Sequence, residues 1–243
     1  MGPLKFFLVV FFSTLLVTPL FSQVDIENNY GSWFVISGAN SIHENWSIPT
    51  VGILRHHGMW ENYEFGFFRT GINYQKNKKV QFGIGGAFLN SKHYLPEENF
   101  EVGNQYWFYQ ECTIKSQLHY ATFTQRFRLE NRWIHREETV NFNARIRCRF
   151  QFTKNLNKRI YIKVFDELFV NINDDFFNQN RFYVGIGSKV SKNISVDIGY
   201  LKNHFSTAQN DVVRMGLNFK TSMLSRKESI TKIDNTTNGI KAD

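Results

Sequence analysis

Between Val140 and Phe152 the chain alternates residue by residue. Val140, Phe142, Ala144, Ile146, Cys148, Phe150 and Phe152 fall on one side; Asn141, Asn143, Arg145, Arg147, Arg149 and Gln151 fall on the other. Alternation with period two defines an extended strand with one apolar and one polar face, and a helix cannot produce it. The preceding stretch has the same split. Arg126, Arg128, Glu130 and Arg132 share a face, and Phe123, Phe127, Leu129 and Trp133 share the other, which Gln125 and Asn131 weaken. After residue 23 no helical periodicity competes with this pattern.

Read in this way, the chain contains eleven candidate strands, at 30–40, 46–57, 63–75, 79–89, 104–115, 119–133, 138–152, 159–170, 180–190, 194–203 and 209–221. Most have the roughly 9–11 residues that a tilted strand needs to cross a bilayer. Strands in soluble sandwiches are usually shorter. Aromatic residues make up 16% of the chain, and Trp33, Trp46, Trp60, Trp133, Tyr74, Tyr94 and Tyr200 lie at or near strand ends or in connections. That is where the aromatic girdles of a membrane barrel belong. The expected fold is all-β: a closed antiparallel transmembrane β-barrel. Short connections at 76–78, 116–118, 153–158 and 191–193 alternate with longer ones at 58–62, 90–103, 134–137, 171–179 and 204–208. This suggests short periplasmic turns and longer outer loops. Single-chain bacterial barrels have even strand numbers. About twelve strands are therefore expected (10–12), with either an unrecognised first strand or an N-terminal segment that plugs the interior.

Residues 6–21 form the only long apolar run. Lys5 precedes it, Pro19 interrupts it, and Ser22 offers a small residue for cleavage. This reads as a secretory signal peptide over 1–23. The barrel would occupy 24–221, and 222–243 is a polar tail expected to hang free in the periplasm. The expected location is the bacterial outer membrane. The expected partners are its lipid and, during biogenesis, the barrel-assembly machinery.

Net charge is +8, falling to about +7 once Lys5 leaves with the signal. Excess positive charge commonly signals nucleic acid. Here seven Arg lie between 126 and 149, opposed by Glu130, Glu137 and Glu138. Turning strand 138–152 over would place three Arg in lipid at a cost of about 6–12 kcal/mol. The arginines therefore point inward, and no nucleic-acid partner is expected. The predicted interior lining is Arg126, Arg128, Glu130, Arg132, Arg145, Arg147, Arg149, Lys163, Glu167 and Arg181, joined by Tyr183, Lys189, Asp197 and Arg214. If Phe152 faces Ile160, Arg145 lies opposite Glu167. Asp166 falls out of phase, which suggests a bulge or a rim position.

Four segments carry a family resemblance: FTQRFRLENRWI (123–134), NARIRCRFQF (143–152), FDELFVN (165–171) and NRFYVGIGSKVSKNISVDIGYL (180–201). With GSWFVISG at 31–38 and NQYWFYQE at 104–111, they resemble the DUF 2490 family, whose members are predicted outer-membrane β-barrels common in Bacteroidetes. Two features depart from its pattern: Asn104-Gln105-Tyr106, where a charged start is usual, and the polar tail. The resemblance implies fold and location but no activity, so no functional residue carries over.

No catalytic constellation is recognisable. His56 and His57 are strand neighbours and point to opposite faces, so they cannot chelate together. Gly83–Gly86 and Gly185–Gly187 open no helix and suggest bends or close packing rather than phosphate cradles. Cys112 and Cys148 lie on non-adjacent strands and are not expected to pair. No cofactor and no metal are expected. The sequence leaves three readings: a structural or binding barrel or narrow anion-preferring channel; an outer-membrane lipid hydrolase with a Ser–His pair; and a secreted basic binding protein.

Overall fold

The computed structural model describes residues 27–94, 100–173, 175–206 and 208–223. The proposed signal peptide at 1–23 and the tail from 224 lie outside them. Eleven strands follow in order: β1 (Glu27–His43), β2 (Trp46–His57), β3 (Asn62–Gln75), β4 (Val80–Tyr94), β5 (Phe100–Gln117), β6 (Thr122–Arg136), β7 (Thr139–Asn155), β8 (Ile160–Asn171), β9 (Phe177–Lys189), β10 (Ile194–His204) and β11 (Ala208–Ser222). Each pairs antiparallel with the next, and the sheet closes on itself. The all-β closed barrel expected from the alternation is the observed fold.

Closure differs from the even-numbered expectation. With eleven strands, β1 and β11 run in the same direction. They pair in parallel over fifteen residues, from Glu27 opposite Ala208 to Ser41 opposite Ser222. The free edge of β1 is thus satisfied by β11, without a twelfth strand among the described residues. An odd count also puts the start of β1 and the end of β11 at opposite ends of the barrel. This seam is directly testable. Ile36 and Leu217 are register partners on it. With Cys112 and Cys148 replaced by Ser, the Ile36→Cys/Leu217→Cys pair is expected to cross-link on mild oxidation, read as a mobility shift that a reductant reverses. Ile36→Cys with Met215→Cys, one pair out of register, is expected to cross-link less.

Loop length does not distinguish the two ends. β4 runs on to Tyr94, β5 starts at Phe100 and β9 starts at Phe177, so strands absorb most of the longer links. The remaining connections are short at both ends. Their chemistry does differ. In the β3–β4 turn, Asn77 Oδ1 accepts from the backbone N–H of Lys79 and Val80; Asn157 does the same for Arg159 and Ile160 in the β7–β8 turn. Ser191 Oγ serves Asn193 and Ile194 between β9 and β10. Such side-chain caps set the turn where the backbone donors have no ladder partner. We call this the capped-turn end.

The outer face is apolar. Ile84, Phe108, Val184, Ile186 and Ile198 stand exposed along it. Trp46 packs on Tyr74 (centroids 4.9 Å) toward the capped-turn end, and Trp133 packs on Phe142 (5.6 Å) toward the other. Trp33 is not part of such a belt. It is 3% exposed and points inward, because β1 begins three residues earlier than its pattern suggests and Trp33 shares the inner phase with Val35. Asp166 does face outward, yet no register shift occurs there, and Asn180 on β9 satisfies its carboxylate through two contacts of 3.0 and 3.2 Å. Cys112 and Cys148 are free, on β5 and β7, and both sit opposite Phe127 of the intervening β6.

The glycines make room for tyrosines inside. A Cβ on Gly85 would lie 2.2 Å from Thr70 O and 2.7 Å from Tyr109 Oη; one on Gly199 would lie 2.3 Å from Val184 O and 2.8 Å from Tyr183 Oη. Tyr109 and Tyr183 are each 0% exposed. Large rings laid over bare backbone fill an interior that side-by-side large residues would overpack. Tyr183, Trp33, Val35, Phe165, Leu201 and Val212 form an apolar cluster across β1 and β8–β11.

Candidate functional site: the charged interior

The remaining interior wall is ionic. On β6 and β7 the register sets Arg128 opposite Arg147 and Arg126 opposite Arg149. Like charges directly across a ladder repel. The arrangement holds because two carboxylates sit among them. Glu130 takes Arg147 at 2.6 Å, Arg145 at 2.7 Å and Arg128 at 3.5 Å. Glu167 takes Arg126 at 2.6 Å, Arg149 at 2.7 Å, Arg147 at 2.9 Å and Arg181 at 3.8 Å. Both glutamates are 0% exposed. Arg147 bridges the two, so β6, β7 and β8 are tied through one guanidinium, and Arg181 joins β9 through Glu167.

Two further centres extend the network. Glu111 on β5 takes Arg128 at 2.5 Å and Arg69 of β3 at 3.4 Å. Asp197 on β10 takes Arg214 at 2.6 Å and Lys163 at 2.8 Å, and accepts from Tyr183 Oη (2.8 Å) and Asn218 Nδ2 (2.9 Å). Aromatic faces complete the cation environment. Arg147 lies 4.3 Å from the Phe169 centroid, Arg149 4.3 Å from Phe165, and Arg128 4.9 Å from Tyr109. Such contacts strengthen when water is excluded. Arg132 donates to Asn143 Oδ1 and lies over Trp107.

Of the ten side chains named from the sequence, Arg126, Arg128, Glu130, Arg145, Arg147, Arg149, Glu167 and Arg181 meet in the pairs around Glu130 and Glu167, Lys163 pairs with Asp197, and Arg132 donates to Asn143; one expected pairing differs. Arg145 is opposite Glu130 and Asn171, and Glu167 is opposite Arg149. The shift is four residues, hence the same face. Its cause is the turn. β7 continues through Thr153–Asn155, so Asn155, rather than Phe152, is the last residue paired before the chain reverses, and it faces Tyr161.

Arg55, Glu64, Arg69, Glu111 and Tyr109 were not singled out in advance. Arg55 meets Glu64 at 2.6 Å because the ladder shifts register at Arg55/His56, which turns Glu64 inward. Arg69 and Glu111 lie in strands with aromatic rings on both faces (Phe67 and Phe68 on β3, Trp107 and Phe108 on β5), so alternation alone does not give the phase there. One signal remains: a charge in the middle of such a strand favours the side away from lipid. His56 and His57 diverge as expected, His56 toward the Trp60 and Tyr63 rings and His57 toward Glu64 (3.6 Å). Among the described residues no three His, Cys, Asp or Glu side chains form a metal-holding group, and no serine hydroxyl is hydrogen-bonded to a histidine.

The fold and its interior define a class: a closed β-barrel, apolar outside and ion-paired inside. The family described as Protein of unknown function (DUF2490) matches residues 30–214, and the chain belongs to that family. No curated protein and no solved structure matches the chain.

Proposed function

We propose that this protein is an integral barrel of the bacterial outer membrane whose interior is closed by its own ion-pair network. It is exported by its N-terminal segment, is inserted by the barrel-assembly machinery, and acts as a structural or binding barrel rather than a pore. One observation carries the reading: the polarity of the wall is inverted. Glu130, Glu167, Tyr109 and Tyr183 are each 0% exposed in the interior, while Ile84 and Ile198 are 55% and 50% exposed outside. In water such an outer face is a large aggregation-prone patch; in a bilayer it is the required surface.

Two features of the wall support a lipid neighbour. The outward aromatic pairs near both ends suit the interfacial girdles of a bilayer. A groove of about 350 Å³ on the outer face, walled by Phe34, Leu54, Gly66, Phe68 and Phe88, ends at Tyr63 and Asn90. It suits an acyl chain with a polar group at its end.

Reconstitution into planar bilayers tests the closed interior. No unitary conductance is expected for the native chain. Discrete anion-selective steps would instead establish the narrow-channel version. Hydrolysis of phospholipid by the purified protein, abolished by one Ser or His substitution, would replace the reading with an enzymatic one.

A further inference from the structure

The interior carries more positive charge than its carboxylates balance. Seven guanidiniums (Arg69, Arg126, Arg128, Arg145, Arg147, Arg149 and Arg181) share Glu111, Glu130 and Glu167 in one connected network. Buried charge left unbalanced is strongly unfavourable, and a counter-ion relieves it. The question is where an anion can reach the network.

The capped-turn end answers it. Past Arg126 and Arg149, the inner positions of β6 and β7 are Thr124, Gln151 and Thr153, and those of β5 and β11 are Thr113 and Asn218. Lys115 on β5 and Lys220 on β11 stand exposed at the mouth. The carboxylate of this section is Asp197, near the start of β10, and it is already engaged by Lys163, Arg214 and Asn218; Glu44 lies in the β1–β2 turn at the rim. A polar hollow of about 320 Å³ opens there, walled by Gln117, Thr122, Thr153 and Asn155 with the turn 118–121. Inward of it on β6 and β7 come Thr124 and Gln151, then Arg126 and Arg149, whose side chains keep 16% and 23% exposure; Tyr109 and Glu167 are 0% exposed and close the interior there.

Two donors farther in lack partners. Arg126 and Arg149 each commit a terminal nitrogen to Glu167, but the buried Nε–H of each has no hydrogen-bond partner. They stand directly opposite across the β6–β7 ladder. Lys163 lies on the adjacent strand, one inner position toward the mouth from Phe165.

We propose that the capped-turn end of the barrel is a blind cationic vestibule that binds a phosphate-type oxyanion between Arg126 and Arg149. Guanidinium N–H groups are well suited to phosphate oxygens, and hydroxyl and amide donors such as Thr113 and Gln151 are available for the remaining ones. The excess of four positive charges favours a multivalent anion over a monocarboxylate. The lysines at the mouth raise the local anion concentration and speed entry. The proposal rests on the closed-interior reading, since a conducting lumen would have no floor.

The test uses the full chain refolded in zwitterionic detergent, with heat-modifiable mobility as the check of folding. Inorganic phosphate, acetate at equal ionic strength, and dihexanoyl phosphatidic acid below its micelle concentration are titrated calorimetrically. Saturable binding of inorganic phosphate or of the lipid phosphate, with acetate at least tenfold weaker, is expected, and the two phosphate arms identify a free ion or a headgroup as the source. Arg149→Gln is expected to weaken that binding at least tenfold. Lys115→Gln/Lys220→Gln, both exposed and outside the network, is expected to lower affinity severalfold and to slow association. Absence of phosphate binding by a folded barrel, or binding unchanged in both variants, overturns the proposal while leaving the closed barrel standing. Conductance in planar bilayers would overturn the closed-interior reading itself.

Discussion

Glu167→Gln is expected to destabilise the barrel by about 3–5 kcal/mol, the range for removing one partner of a buried ion pair. The amide is nearly isosteric, so little packing changes. What is lost is the single negative charge that faces Arg126, Arg147, Arg149 and Arg181. Arg126 and Arg149 then face each other across the ladder with no charge between them. Arg147 keeps Glu130 at 2.6 Å, so the damage concentrates on the β7–β8–β9 side. Urea unfolding of the refolded protein, followed by tryptophan fluorescence, measures the loss. A midpoint shift corresponding to less than about 1 kcal/mol, the worth of an exposed pair, would mean that Glu167 is solvated and the interior open.

Ile198→Arg is the second large effect. Ile198 is on β10 with Ile186 and Met215 as register partners, and it is 50% exposed on the outer face. If lipid covers that face, Arg near the midplane costs about 2–4 kcal/mol. If water covers it, a surface substitution of this kind stays within about 0.5 kcal/mol. Folding into phospholipid vesicles, compared for the two proteins across a urea series, separates these cases. The neighbouring inner position shows why the side matters. Asp197 is 4% exposed and holds Lys163 and Arg214.

The legible parts of the fold were those where charge marked one face. On β6 and β7 arginines alternate with Phe, Ile and Cys, so strand, phase and inner face all follow from the order of residues. On β3, Phe65, Phe67 and Phe68 occupy both faces, and the alternation carries no phase. Register was harder still. It depends on where a turn begins, and the polar Thr153–Asn155 reads as loop although it continues the ladder. The parallel β1–β11 seam leaves no local trace, since it joins segments from the two ends of the chain. The hub role of Glu130 and Glu167 was partly visible: they are the few acids on an Arg-rich face, and each must serve several cations. The unpaired Nε–H groups of Arg126 and Arg149 depend on guanidinium orientation, which no sequence pattern encodes.

The most direct test of the account is the location and gel mobility of the native chain. Cells expressing it are fractionated, and the membrane fraction is run with and without boiling in detergent. Recovery in the outer-membrane fraction, with the unboiled protein migrating ahead of the boiled one, is the predicted result. A chain found in the soluble fraction, with one mobility at every temperature, would contradict the membrane barrel.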